Sequence, residues 1–561
     1  MRYFVSIPLY IMVFFLILGV IRPLEIKAES ASIKVKKDWF IVNGERFLIK
    51  GIGYSNCRPH EQPNTKRIDL EQERKEFAII KAAGFNTLRT WKPMTLEELK
   101  LANEFGLYVI QGMWIEYQQN FTDPERVTQI VEQLKPIVKE SSQAPNVLMY
   151  VVGNEPQPAQ VFSVGHKNTN DFFKLLRDQI KQQAPHAVVT MSNWVQSDFL
   201  DDYMWDVAAF NIYIYNPESV NHAMGYRGYV NWLKNTRAPK RPLINTEMGL
   251  STSKGGIGLW GYGGNSEVEQ QEGVLYMYRE AFNGGATGAC VFEWIDEWWK
   301  NFNHGSDWDV HEPADPEEWF GICYYDENGE LQKKPVYSAL QEFNQAICVT
   351  PKDSEKVSKS SPVEIYTEED IKEVSVSVGI NQDWDWIPLK RASPHWFTGK
   401  LNVKKMPDGK TELRIKAKAK TNMEYVKKQV IYIDNARKMD EPYQVSVSLS
   451  EHVVYTNNRT TPIKLMFDVT NAKKKKVAGE TVTFSIYEPV LNQKLKLSKI
   501  TDKNGRVEHV YLLNEEGVLT VAAGVVAYPS EAKGVTDTTY LVKSGDCKHV
   551  YIYYEKEGGK R

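Results

Sequence analysis

Runs of apolar residues without alternation recur between residues 48 and 295, and segments of helical periodicity separate them. The first run covers 48–54, after a hairpin over 33–50 that turns on Asn43-Gly44, a strong two-residue turn signal. Further strands are predicted over 85–91, 107–113, 147–152, 187–192, 207–215, 242–246 and 288–295. Helices are predicted over 69–83, 95–105, 124–142, 170–183, 229–235, 266–283 and 336–346, the first two closed by Gly84 and Gly106. Unalternating apolar strands are buried on both faces, as in a parallel sheet. Eight of them with intervening helices over residues 33–348 predict a closed (β/α)8 TIM barrel rather than a doubly wound sheet.

After the barrel the pattern changes. Residues 349–362 are rich in Lys, Ser, Asp and Pro and read as an irregular linker. From 363 to 436 and again from 443 to 555, short alternating strands are separated by turns such as Pro407-Asp408-Gly409 and Asp502-Lys503-Asn504-Gly505. Two all-β sandwich domains of immunoglobulin-like type are predicted.

Length agrees with several domains, since 561 residues exceed what one core serves. A net charge of -2 and the lack of a basic stripe give no reason to expect nucleic acid as a partner. Residues 1–28 join Met1-Arg2 to an apolar stretch and close on Ala28, the pattern of an export signal, either a cleaved signal peptide or a retained membrane anchor. The mature chain is therefore expected to be secreted or at the cell surface, touching a membrane only if that segment stays. Five cysteines, Cys57, Cys290, Cys323, Cys348 and Cys547, follow no metal-ligand spacing and suggest no disulfide framework; Cys323 with Cys348 is the one bridge considered. Neither a metal nor a cofactor is expected.

Candidate chemistry sits at two strand ends. Glu155 follows the run 147–152 in Gly153-Asn154-Glu155-Pro156, and Pro156 halts regular structure so that the acid is presented at the carboxyl end of the fourth strand. Glu247 ends the seventh strand, 242–246. In a closed barrel both carboxylates face one mouth. Two acids across a pocket are what glycosidic cleavage needs, one to protonate the leaving oxygen and one to attack the anomeric carbon or activate water.

The barrel resembles the retaining glycoside hydrolases with catalytic acids on strands four and seven, in particular the barrel domain of glycoside hydrolase family 2. Five segments carry the likeness: Leu48-Ile49-Lys50-Gly51-Ile52, Phe85-Asn86-Thr87-Leu88-Arg89, the stretch around Glu155, residues 242–249, and Val291-Phe292-Glu293-Trp294-Ile295-Asp296. The resemblance implies Glu155 as acid/base and Glu247 as nucleophile, with retention through a covalent glycosyl-enzyme. It implies Asn154 on the sugar 2-hydroxyl, Tyr213 bonded to the nucleophile to hold it ionised, Arg89 as a cation beside it, and Trp294 as the floor of the sugar site. Trp91 and Trp114, at strand ends, are candidate stacking residues, as are Trp260, Trp298 and Trp299.

The chain also departs from that family. Sandwich domains follow the barrel instead of preceding it, and Thr90-Trp91-Lys92-Pro93 replaces the usual His-Tyr-Pro. Segments one and four are similar to those of β-1,3-glucan hydrolases and glucanosyltransferases too. The loop 304–318, with Asp307, Asp309 and Glu312, has no regular cation-ligand spacing and reads as a solvated rim, while the glycine-rich 255–264 reads as a mobile loop over the cleft. Asn120-Phe121-Thr122 and Asn458-Arg459-Thr460 fit the glycosylation pattern. The last domain resembles bacterial immunoglobulin-like modules through Lys476-Val477-Ala478-Gly479-Glu480-Thr481-Val482-Thr483-Phe484, and Trp384, Trp386 and Trp396 of the preceding sandwich are candidate sugar binders or core residues.

The expected function is an exported retaining β-glycosidase or transglycosylase. Its partner would be an oligo- or polysaccharide, with β-glucan and cell-wall or extracellular glycan the classes in view. The alternatives are a non-catalytic carbohydrate-binding or surface-display protein on a degenerate barrel, against which the presence of both acids argues, and an anchored accessory enzyme of polysaccharide biosynthesis.

Overall fold

The computed structural model describes residues 32–63, 68–115, 121–197, 200, 203–215, 225–300, 310–379, 385–435, 444–456, 461–471, 473–488, 493–513, 517–531 and 538–554. Residues 1–28, read from sequence as an export signal, and Asn120, Asp307, Asp309, Trp384 and Asn458 therefore lie outside the described residues. Among the described residues no helix is long and apolar enough to cross a membrane.

The chain opens with a three-stranded antiparallel sheet, β1 (Ile33–Lys36), β2 (Trp39–Val42) and β3 (Glu45–Phe47). Asn43 at φ 51° and Gly44 at φ 88° make the tight turn that the Asn-Gly pair predicts. Eight parallel strands then close into a barrel: β4 (Ile49–Gly53), β5 (Thr87–Arg89), β6 (Tyr108–Met113), β7 (Val147–Asn154), β8 (Val189–Trp194), β9 (Ala208–Asn211), β10 (Leu243–Met248) and β11 (Gly288–Val291). Every residue of β4, β5, β9, β10 and β11 is buried, which is why these strands do not alternate in sequence.

Several helices begin where side chains cap them. α1 (Leu70–Ala82) starts at Asp69, whose carboxylate accepts from the Gln72 amide, and α2 (Leu96–Glu104) starts with a reciprocal box of Thr95 and Glu98. α3 (Pro124–Ser141), α4 (Pro158–Val164), α5 (His166–Gln183), α6 (Gly225–Thr236), α7 (Glu267–Gly284) and α8 (Pro335–Gln345) complete the described helices, with α7 closed by Gly285 in the left-handed region at φ 109°. The short α4, directly after the Glu155 segment, has no counterpart in the predicted elements.

Two further strands, β12 (Cys323–Tyr325) and β13 (Leu331–Lys333), form a hairpin beside the end of β11, reached through a bridge between Ile295 and Cys323. All-β structure follows without the irregular linker expected over 349–362: β14 (Ala346–Thr350), β15 (Glu355–Val357) and β16 (Ser360–Thr367) occupy that stretch. They join a four-stranded and a five-stranded sheet that enclose one core, and a second pair of sheets, of three and five strands, forms another. Strands with one solvated face carry many polar residues, so these resemble a linker in composition. The two-sandwich arrangement after the barrel is as expected.

The first sandwich is locked to the base of the barrel. Arg46 donates twice to Glu364, at 3.1 and 3.0 Å, and its guanidinium lies 4.0 Å from the Trp396 ring centre, whose Nε1 bonds the Arg46 carbonyl at 2.9 Å. Trp396 is thus a core and contact residue. Cys290, Cys323 and Cys348 form no disulfide among the described residues, so the Cys323 to Cys348 bridge is not formed.

Candidate active site

Glu155 is aimed by its backbone. Gly153 takes φ 75° and Glu155 φ 47°, so two of three consecutive residues at the end of β7 adopt the left-handed region. Glycine enters it freely, while for glutamate the conformation is costly and persists because surrounding contacts enforce it. The Glu155 amide bonds the Ser192 carbonyl of β8 at 2.9 Å, and the Trp194 indole bonds the Pro156 carbonyl at 3.1 Å.

Around this acid the amides are arranged in one sense. The Asn211 carbonyl oxygen accepts from the Thr246 hydroxyl at 2.7 Å and lies 3.2 Å from the Ser192 hydroxyl, which turns its NH2 the other way. That NH2 donates to Glu155 at 2.8 Å and to the Asn154 carbonyl oxygen at 3.2 Å. Asn154 also accepts from Arg89 at 2.6 Å, so its own NH2 points away from both donors. Burial, then the charge of Glu247, raise the Glu155 pKa to about 8, against the opposing pull of the Asn211 hydrogen bond. Asn211 was not among the sequence candidates. A lone Asn at the end of an apolar strand carries no signal until its neighbours on β8 and β10 are known.

Glu247, 4% exposed, is met by donors on both oxygens. Arg89 Nη2 and the Trp91 indole each reach Oε1 at 2.8 Å, and the Tyr213 hydroxyl reaches Oε2 at 2.9 Å. The Tyr213 phenol is pushed far above its ordinary range by burial and by Glu247, so it keeps its proton to donate. Arg89, 1% exposed, spends one nitrogen on Glu247 and Asn154; its Nε and Nη1 find no acceptor, and the Trp91 ring 4.1 Å from its carbon supplies a cation–π contact instead. Trp91, taken from sequence as a stacking residue, is a hydrogen-bond donor here.

Trp294 does not floor this site. Its ring is wholly buried in the main core, because the chain leaves the barrel after Val291 and Trp294 turns in against β4, its amide bonding the Gly53 carbonyl at 2.9 Å. Phe292, two residues earlier, lies between the two aromatic donors instead, 5.2 Å from Trp91 and 6.1 Å from Tyr213 by ring centres. Trp114 is half-buried just after β6. Trp260 packs inward on Tyr276 at 5.3 Å, so the glycine-rich segment 255–264 is anchored rather than free.

Beside Phe292, Lys300 bonds Glu293 at 2.7 Å and Glu297 at 2.6 Å, all three buried. Burial holds the Glu293 carboxyl far above the usual carboxylate range. No group of three or more metal-ligating side chains that could hold an ion occurs among the described residues. The arrangement offers one carboxyl that retains its proton near neutral pH and, facing the same mouth, one carboxylate fixed by three donors.

Residues 33–312 match the family model for glycosyl hydrolases family 2, TIM barrel domain. Among curated proteins, a β-glucuronidase of Paenibacillus borealis is 26% identical over 284 residues, covering 46% of this chain and 44% of that protein. pH-responsive protein 1 of Candida albicans is 22% identical over 308 residues, covering 46% of this chain and 53% of that protein. This chain thus spans about half the length of the curated relatives it matches. A solved structure, Bacteroides uniformis β-glucuronidase 2 covalently bound to cyclophellitol-6-carboxylate aziridine, shares 13% identity over 93% of this chain and 68% of that one, with a TM-score of 0.46.

Proposed function

We propose, from the premise that the barrel of this chain belongs to glycoside hydrolase family 2, that it is a retaining β-glycosidase in which Glu155 is the acid/base and Glu247 the nucleophile. The observation that carries the reading is the unequal treatment of the two acids. Glu155 has its pKa raised to about 8, so it can deliver a proton to the glycosidic oxygen at neutral pH. Glu247 has Arg89, Trp91 and Tyr213 directed at its oxygens, which aligns it for attack on the anomeric carbon.

In the first step Glu155 protonates the leaving oxygen as Glu247 forms an ester to the sugar. Esterification removes the Glu247 charge, one of the two leading causes that hold the proton on Glu155. Glu155 then becomes a competent base and takes a proton from water, or from an acceptor hydroxyl in transglycosylation. The free NH2 of Asn154 donates to the sugar 2-hydroxyl as the oxocarbenium-like state develops. Phe292 and Trp91 provide the aromatic side of the sugar site.

The name of the Paenibacillus relative supports a β-linked glycoside as substrate. Residues 1–28 support export, and with it an extracellular or cell-wall glycan such as a β-glucan. Wild type, Glu155→Gln and Glu247→Gln are to be incubated with a panel of β-glucans and other β-glycosides, with product anomers followed by NMR. Retained anomers and loss of turnover in both variants are expected. An inverted first product, or undiminished turnover by either variant, overturns the assignment.

A further inference from the structure

An aromatic wall runs outward from the nucleophile. Tyr213, bonded to Glu247, lies 5.1 Å from Tyr215 and 6.2 Å from Phe320, and Tyr262 lies 5.2 Å from Tyr215 and 6.1 Å from Phe320. At the outer end of the wall the Tyr262 hydroxyl donates to Glu317.

Glu317 is held in place by its own segment. Its amide bonds Asp315 at 3.0 Å, and the following Trp319 stacks on His311 at 3.7 Å and bonds the Glu312 carbonyl at 2.8 Å. Lys334 joins Asp296 at 2.8 Å, and Asp296 in turn accepts from the Gly321 amide at 2.8 Å, which ties the segment to the end of β11. The Glu317 side chain therefore does not need to be ordered by a ligand.

No cation among the described residues forms an ion pair with it. Arg89 is spent on Glu247 and Asn154, and Lys300 on Glu293 and Glu297. Glu317 nevertheless lies within electrostatic reach of Glu155, Tyr215 and Lys300, so its charge is felt inside the mouth. Among the described residues its carboxylate makes no ion pair, and Tyr262 is its one side-chain donor.

We infer that Glu317 sets the sugar class of this cleft: the sugar docked against the Tyr213, Tyr215 and Tyr262 wall offers Glu317 hydrogen-bond donors, hydroxyl or ammonium, and carries no carboxylate. The inference rests on the glycosidase reading above and sharpens it. A carboxylate at the rim of a cleft accepts hydrogen bonds, pairs with an ammonium, and repels a second carboxylate. A uronic acid, the sugar class named for the Paenibacillus relative, brings that second carboxylate. An amino sugar or a neutral hexose does not.

The test labels the full chain with cyclophellitol aziridines, in the neutral gluco, galacto and manno forms and in the 6-carboxylate form. Intact mass gives the rate and peptide mapping gives the site, with Glu247 expected. The fastest neutral probe should label wild type about a hundredfold faster than the carboxylate probe, the range that like-charge juxtaposition commands. In Glu317→Gln and Glu317→Lys the ratio should narrow by about tenfold or more, through a slower neutral probe and a faster carboxylate probe, and a merely structural role would not produce the gain with the carboxylate probe. A carboxylate probe that labels wild type as fast as the neutral ones, or a ratio unmoved in both variants, overturns the inference while leaving the glycosidase standing. Absence of label from every probe removes the glycosidase reading and this inference with it.

Discussion

The barrel buries a cation against a glutamate at each of its two ends, and the two pairs are built for different purposes. At the base, Lys50 of β4 is completely buried, joined to Glu368 of the first sandwich and bonded to the Asn344 carbonyl at 3.0 Å. At the mouth, Arg89 of β5 is equally buried and joins Glu247 at 2.8 Å, but a second acid, Glu155, faces the same space. At the base Glu368 also has Lys81 at 4.0 Å, so cations outnumber the acid and the joint between domains is held closed. One cation for two glutamates leaves a proton to be shared out. The excess acid at the mouth is what makes chemistry available there, and its absence at the base is what makes that end structural.

The sharpest way to break this contrast is at Glu247. Replacing it by Gln should lower kcat by about 10⁴-fold or more, with the fold retained, because the proposed nucleophile is gone. Full turnover in that variant would place the mouth pair with the structural one. Next, Lys50→Met should cost up to about 3 kcal/mol in a urea unfolding experiment, since Glu368 is left with Lys81 at 4.0 Å as its one remaining cation among the described residues, while kcat of the folded protein stays at the wild-type level. A large kcat effect with unchanged stability would reverse the roles assigned to the two ends.

A smaller effect tests how the proton is shared. Asn211→Ala removes a hydrogen bond that lowers the Glu155 pKa, so kcat/KM should fall by about tenfold and the alkaline limb of its pH profile should move upward. A downward shift would mean that Asn211 acts on another group. The smallest effect concerns the wild-type profile itself. For substrates with poor leaving groups kcat/KM should decline as pH rises through about 8, where Glu155 loses the proton it must donate. Activated aryl glycosides, whose leaving groups need no proton, should show a much flatter limb.

The order of strands was legible because each apolar run reports local burial and several helix starts carry their own cap, as Asp69, Thr95 and Ser266 do. The two acids were legible because a charge directly after such a run is conspicuous. Trp294 was misassigned because the sequence does not show that the chain leaves the barrel at Val291, after which ring positions follow a different neighbour. The stretch 349–362 read as a linker for a similar reason. Its polar residues belong to strands whose other face, as at Val357, is buried only because a sandwich is present.

By itself, then, the sequence determined the barrel, the sandwiches behind it and the pair Glu155 and Glu247, since these depend on periodicity and on the residue at each strand end. Only the tertiary structure decided that the Asn211 amide faces Glu155, that Trp91 donates to Glu247, that Phe292 stands where Trp294 was expected, and that Glu317 reaches the mouth. Each of these depends on segments far apart in sequence and on which face a side chain turns. Hydrogen-bond direction and charge at a few ångströms are set by three-dimensional neighbours, which local composition does not encode.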